Sequence, residues 1–165
     1  MRMELIQPFI NAADAVLADS LQCPTSIGSL SMEEEAYRRK GVAATVAVTG
    51  EIEGRIIFDV DPQTAMRVAS RFAGEELPES EDLMRETVCE LANQVIGNAI
   101  TSLNDQGFRF RVHPPEIHTA EKGHRSSEDT EALVMCIETS KGKVFMNVAM
   151  RYNQRHEEHA TAAHT

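Results

Sequence analysis

Two β-branched runs separated by only three residues constrain the fold more than any other part of the chain. Gly41–Val48 reads GVAATVAV and Ile52–Val60 reads IEGRIIFDV, with Thr49-Gly50-Glu51 between them. Val, Ile and Phe at this density suit a pleated, buried surface, and so short a connection joins antiparallel neighbours. Ala132–Glu138 and Val144–Met150 flank Ser140-Lys141-Gly142 in the same way. Two hairpins far apart in sequence predict a largely antiparallel sheet, whose apolar face needs a cover.

The predicted cover is helical. Leu5, Phe9, Ala12, Ala13, Val16 and Leu17 recur at helical spacing, which predicts a helix from about Glu4 to Ser20. Pro8 falls in its first turn or marks a slightly later start, and Pro24 ends any continuation. Asp61-Pro62 supplies an N-cap followed by Pro at the first helical position. Gly74 supplies the stop for a helix ending at Phe72 or Ala73. After the acidic segment Glu75 to Asp82, in which Ser80 serves as a cap, a long helix runs from about Glu81 to Leu103.

Ile27–Met32 alternates as a half-buried strand does, and so does Phe108–Val112, after which extended chain resumes at Ile117. The coarse order is helix, strands, two helices, strands. It predicts an α+β (two-layer α/β) fold, a largely antiparallel sheet of about six strands packed against about three helices. Residues 1–153 read as a single domain. Glu33-Glu34-Glu35 and Arg38-Arg39-Lys40 read as a solvated connection, Lys122–Asp129 as a loop, and 154–165 as a disordered tail.

Composition excludes several function classes. A net charge of −10 disfavours nucleic acid and anionic membrane surfaces as partners. Cys23, Cys89 and Cys136 form no CxxC pair and read as reduced thiols of a cytoplasmic protein. Neither a signal-peptide pattern nor an apolar run long enough to cross a bilayer is present. There is no GxSxG, P-loop or GxGxxG. His113, His118 and His124 fit no common zinc spacing, and His156, His159 and His164 belong to the acidic tail, so no metal site is predicted. Asp59 and Asp61 suggest a carboxylate pair, but Asp61 is accounted for as a helix cap.

The residues that carry chemistry lie on the long helix. At about 100° per residue, Glu86, Glu90, Asn93, Gln94, Gly97 and Thr101 fall on one stripe. Met84, Val88, Leu91, Ala92, Val95, Ala99 and Leu103 fall opposite and pack on the sheet. Glu90 and Asn93 stand one turn apart, so their side chains project together. Asn93 is a weak helix former in mid-helix, and Gly97 costs about 1 kcal/mol relative to Ala. Gly97 also removes a side chain that would hold a partner's surface away. Taken alone, a Glu and an Asn at this spacing are usually solvated helix residues, and a mid-helix Gly more often reflects tight internal packing.

The surrounding residues add specificity. Glu90-Leu91-Ala92-Asn93-Gln94-Val95-Ile96-Gly97-Asn98-Ala99 resembles the core motif of the CheC/CheX/FliY phosphatases, a Glu and an Asn spaced E-x-x-N on a long exposed helix. The Pro that follows in that family is matched by Pro114 or Pro115. The opening Met3–Phe9 and the Gly50–Gly74 stretch are similar to CheX proteins as well, and the resemblance extends from about residue 3 to 151. The family has Asp or Ser where this chain has Glu86. E-x-x-N occurs once, as in the CheX type, whereas CheC proteins resemble a duplicated arrangement.

The resemblance implies a chemotaxis phosphatase acting on the aspartyl phosphate of a CheY-like response regulator. By that resemblance Asn93 orients the attacking water, and Glu90 pairs with a Lys of the receiver. Glu86, Gln94 and Gly97 then line the partner-binding surface. No cofactor is expected on this chain, because Mg²⁺ is supplied by the partner receiver domain. The resemblance also implies a homodimer. The alternative is a non-catalytic response-regulator or flagellar-switch binding module of the same fold, which would not require Asn93.

Overall fold

The computed structural model describes residues 3–33, 40–118 and 132–153. The Lys122–Asp129 loop, the tail from 154 and the middle of the charge runs, 34–39, lie outside the described residues, as do His124, His156, His159 and His164. The elements in chain order are α1 (Met3–Leu21), β1 (Thr25–Glu33), β2 (Val42–Gly50), β3 (Ile52–Val60), α2 (Pro62–Ala73) and α3 (Glu81–Asp105). They are followed by β4 (Phe110–Val112), β5 (Glu116–His118), β6 (Ala132–Thr139) and β7 (Gly142–Tyr152). Pro8 stands inside α1, past its first turn, and is buried.

The strands form one seven-stranded sheet in the order β1-β6-β7-β3-β2-β4, with β5 also on β2. Every pairing is antiparallel. One strand more than expected arises after Gly107. Pro114 and Pro115 lack the N–H a ladder needs, and the chain crosses β2 as two short strands on either side of them. Val42, Ala44, Val46 and Val48 of β2 share the helix-facing side with Ile56, Phe58 and Val60 of β3 and Val144, Met146 and Val148 of β7. Those residues and the buried sides of the three helices make one core.

Local signals set the helix ends. The Asp61 carboxylate accepts from Thr64 N at 3.3 Å, Pro62 opens α2, and Gly74 closes it in the left-handed conformation at φ 73°. The β1 edge departs from the half-buried strand its alternation predicts. Ile27, Leu30 and Met32 lie opposite buried Ile137, Met135 and Leu133, on the helix side of the sheet, yet each is about half exposed. The helix layer does not cover Ile27, Leu30 and Met32.

Asp59 has a role its sequence context conceals. It is fully buried, and its carboxylate accepts from Lys40 N at 2.6 Å and Gly41 N at 2.8 Å. The end of β3 is thereby tied to the entry of β2. Asp59→Ala leaves two N–H groups without their acceptor, and the expected loss is about 3 kcal/mol. Urea unfolding should show this as a lower midpoint at unchanged slope.

Candidate functional site

α3 begins at Ser80, whose side chain accepts from Leu83 N at 3.3 Å, and its first turn carries Glu81 and Asp82 where the helix dipole favours negative charge. Met84, Val88, Leu91, Ala92, Val95, Ala99 and Leu103 are buried, as the periodicity predicts, and Thr87 and Ile96 join them. Glu86, Glu90, Asn93, Gln94, Gly97 and Thr101 are all exposed and form the outward stripe. From Leu91 to Asn104 the helix carries no charged side chain.

Within this stripe the structure brings Gln94 onto Glu90, with Nε2 donating to Oε1 at 3.1 Å. An exposed bond at this spacing contributes a few tenths of a kcal/mol. It biases the Glu90 rotamer without locking it. The Asn93 carboxamide, one turn from Glu90, makes no hydrogen bond to any described residue. It keeps both its donor and its acceptor for an incoming group. Glu86 extends the stripe one turn toward the helix start.

Gly97 is decided by its surroundings. A Cβ added there would meet nothing within 4 Å. Internal packing therefore does not require glycine at this position. Thr101 Oγ1 donates to the Gly97 carbonyl at 3.1 Å, and the backbone stays helical.

The stripe holds no Cys, Ser, His or Lys, and its one hydroxyl, that of Thr101, donates to the Gly97 carbonyl. Cys89 is half-buried beside Glu90, and burial pushes its thiol up from the ordinary value. The reactive thiolate is thus depleted at neutral pH. Among the described residues no group of three His, Cys, Asp or Glu is placed to hold a metal ion. Asp61 serves as a cap, Asp59 as a backbone tether, and His113 Nε2 lies 3.0 Å from Thr49 Oγ1. No helix among the described residues is long and apolar enough to cross a membrane. A helical stripe with a free carboxamide, two carboxylates and neither a thiol nor an amine is suited to act on a group that another macromolecule presents.

Since the space above Gly97 is open, Gly97→Ala should raise stability by about 0.5–1 kcal/mol through helix propensity alone. Thermal and urea unfolding of the isolated chain measure it. A loss of stability would mean that the position is packed after all.

Comparison with known proteins bears on this stripe. A family model described as "Chemotaxis phosphatase CheX" matches residues 42–139. The chain is 23% identical over 118 residues to the CheY-P phosphatase CheX of Thermotoga maritima, covering 71% of this chain and 76% of that protein. A chain in the crystal structure of a CheX–CheY–BeF3–Mg²⁺ complex from Borrelia burgdorferi is 30% identical, with TM-score 0.67 over 91% of this chain and 99% of that one. Chemotaxis protein CheX from Vibrio vulnificus superposes with TM-score 0.75 at 22% identity, covering 90% of this chain and 99% of that one.

Proposed function

The chain belongs to the chemotaxis phosphatase CheX family, and from that premise we propose that it accelerates hydrolysis of the aspartyl phosphate on a CheY-like response regulator. The observation that carries the reading is the Asn93 carboxamide, free of any described partner and one turn from Glu90 on the exposed stripe of α3. The Borrelia relative was crystallised together with CheY, BeF3 and Mg²⁺, which supports a receiver as partner and as the source of the metal.

An acyl phosphate is already reactive, so the catalyst has only to place water in line and tolerate the charge that spreads over the phosphoryl oxygens. Asn93 places the water, since its carbonyl accepts from the water while its NH2 donates toward the phosphoryl group. Glu90 docks the complex through a charge-assisted hydrogen bond to a Lys of the receiver. Glu86 and Gln94 flank that contact. Mg²⁺ is held by the receiver's carboxylates and offsets the phosphoryl charge. Gly97 lets the receiver's surface approach the helix backbone, which gives the missing side chain a purpose its own chain does not supply. The reading places the protein in the cytoplasm, where Cys23, Cys89 and Cys136 stay reduced.

A homodimer is part of the same proposal, and the β1 edge supports it. Thr25–Met32 has no charge or proline to block strand pairing. A second copy paired along β1 would continue the sheet and cover Ile27, Leu30 and Met32.

The direct test is loss of label from a receiver phosphorylated by a small phosphodonor with Mg²⁺. Asn93→Ala should bind the phosphorylated receiver but lose the acceleration by about 100-fold or more, as removal of a positioning group does. Glu90→Ala should weaken docking by about 10-fold, seen in KM more than in kcat. Gly97→Ala should slow the reaction even though it stabilises the helix. If wild type binds the phosphorylated receiver without speeding hydrolysis, the non-catalytic binding module replaces the phosphatase. For the dimer, Leu30→Glu should halve the mass measured by light scattering in solution. A monomeric wild type would remove that part of the proposal.

A further inference from the structure

A cavity of about 430 Å³ opens where α1 ends, where α2 runs its last turns and where the β6–β7 turn closes. This is within the size range of small-molecule sites, roughly 300–1,000 Å³. Its charged lining is Arg67, Arg71 and Lys141 against Glu76 alone. In a chain of net charge −10 that is a local reversal of sign. None of the three cations makes an ion pair with a described residue.

The walls are held in place without using up those charges. Lys141 Nζ donates to the Leu21 carbonyl at 2.6 Å, and Arg67 Nη1 donates to the Lys141 carbonyl. Gly142 sits so close to α2 that a Cβ there would run into the Thr64 side chain. Ser70 Oγ accepts from Leu77 N at 3.1 Å and pins the segment that follows α2. The Lys141 bond to the Leu21 carbonyl also answers the negative end of α1, worth about half a charge. The Arg71 guanidinium holds no wall in this way, since no described group accepts from it. The lining also includes the apolar side chains of Leu21, Met66 and Leu77.

We propose that this cavity binds a small phosphate monoester, with its phosphate on Arg71, Arg67 and Lys141 and its apolar body on Leu21, Met66 and Leu77. Guanidinium groups match phosphate geometry, and a dianion answers the surplus of cations better than a monocarboxylate does. The inference stands independently of the phosphatase reading, because none of these residues lies on the outward stripe of α3.

Phenyl phosphate and inorganic phosphate serve as probes at matched ionic strength, followed by the amide resonances of the ¹⁵N-labelled chain. Phenyl phosphate should shift Ser20, Leu77 and Lys141 saturably, and more tightly than inorganic phosphate. Arg71→Gln should weaken it about 10-fold or more, the effect of one lost charge-assisted bond. The Arg71 side chain holds no other part of the fold, so this variant folds like wild type. Absence of saturable shifts, equal affinity in Arg71→Gln, or equal affinity for inorganic phosphate would overturn the proposal.

Discussion

The helix layer depends on α1, which buries a larger share of its residues than α3 does and leaves one wet stripe, Glu4, Gln7, Asn11, Asp14 and Asp19. Leu5, Ile6, Phe9, Ile10, Ala13, Val16 and Leu17 are all buried, and α1 packs on α2, on α3 and on the sheet at β7 and β1. The Leu, Ile, Val and Phe side chains among them are each worth about 1.5–3 kcal/mol when fully buried. The chain gains by seating α1 deep in the layer. α3, packed on α1 and over β2 and β3, then has only one side to bury. Its other side is left to water along its length, and this is why the stripe from Glu86 to Thr101 is available to a partner.

That division lets α3 carry residues a helix does not favour. Asn93 and Gly97 together cost it about 1–2 kcal/mol against better helix formers. The Ser80 cap, the acidic first turn and fully buried Leu91 and Leu103 outweigh this. The helix forms because of one face and serves through the other. Since Gly97 has open space where a Cβ would stand, its cost is not recovered within the chain. A compensating contact has to be sought outside it, in keeping with the proposed docking surface.

What could be read from sequence was what local rules govern. The hairpins followed from alternation and short turns, α2 from Asp61, Pro62 and Gly74, and the two faces of α3 from its period. The misses are tertiary. The exposure of Ile27, Leu30 and Met32 depends on how far the helix layer reaches across the sheet, which no pattern inside β1 records. Asp59 suggests half of a carboxylate pair with Asp61 until the chain at Lys40 and Gly41 is seen to pass over it. No pattern marks β5 as a strand of its own, since β4 and β5 are only three residues each on either side of Pro114-Pro115. The cavity joins residues from Ser20 to Lys141, a set no spacing rule could gather. On α3 the exposure of the stripe was predictable, but the openness above Gly97 was not, since a glycine's reason lies in atoms that are not its own.

Charge along α3 follows the same logic. Glu81 and Asp82 stand in its first turn, where the helix dipole favours them, Glu86 and Glu90 follow, and from Leu91 to Asn104 charge disappears although a quarter of the chain is charged. On the proposed reading the phosphoryl group and the receiver's carboxylates meet the helix within that neutral stretch, at Asn93. A carboxylate there would face an anion in a site from which water is being displaced, where repulsion is far stronger than in bulk solvent. A lysine would pair with the receiver's carboxylates and compete with Mg²⁺ for them. A carboxamide does neither, yet it still holds a water by two kinds of hydrogen bond. Glu90, one turn away, lies at the border of the neutral stretch, close enough to dock a cation and set back from the phosphoryl charge.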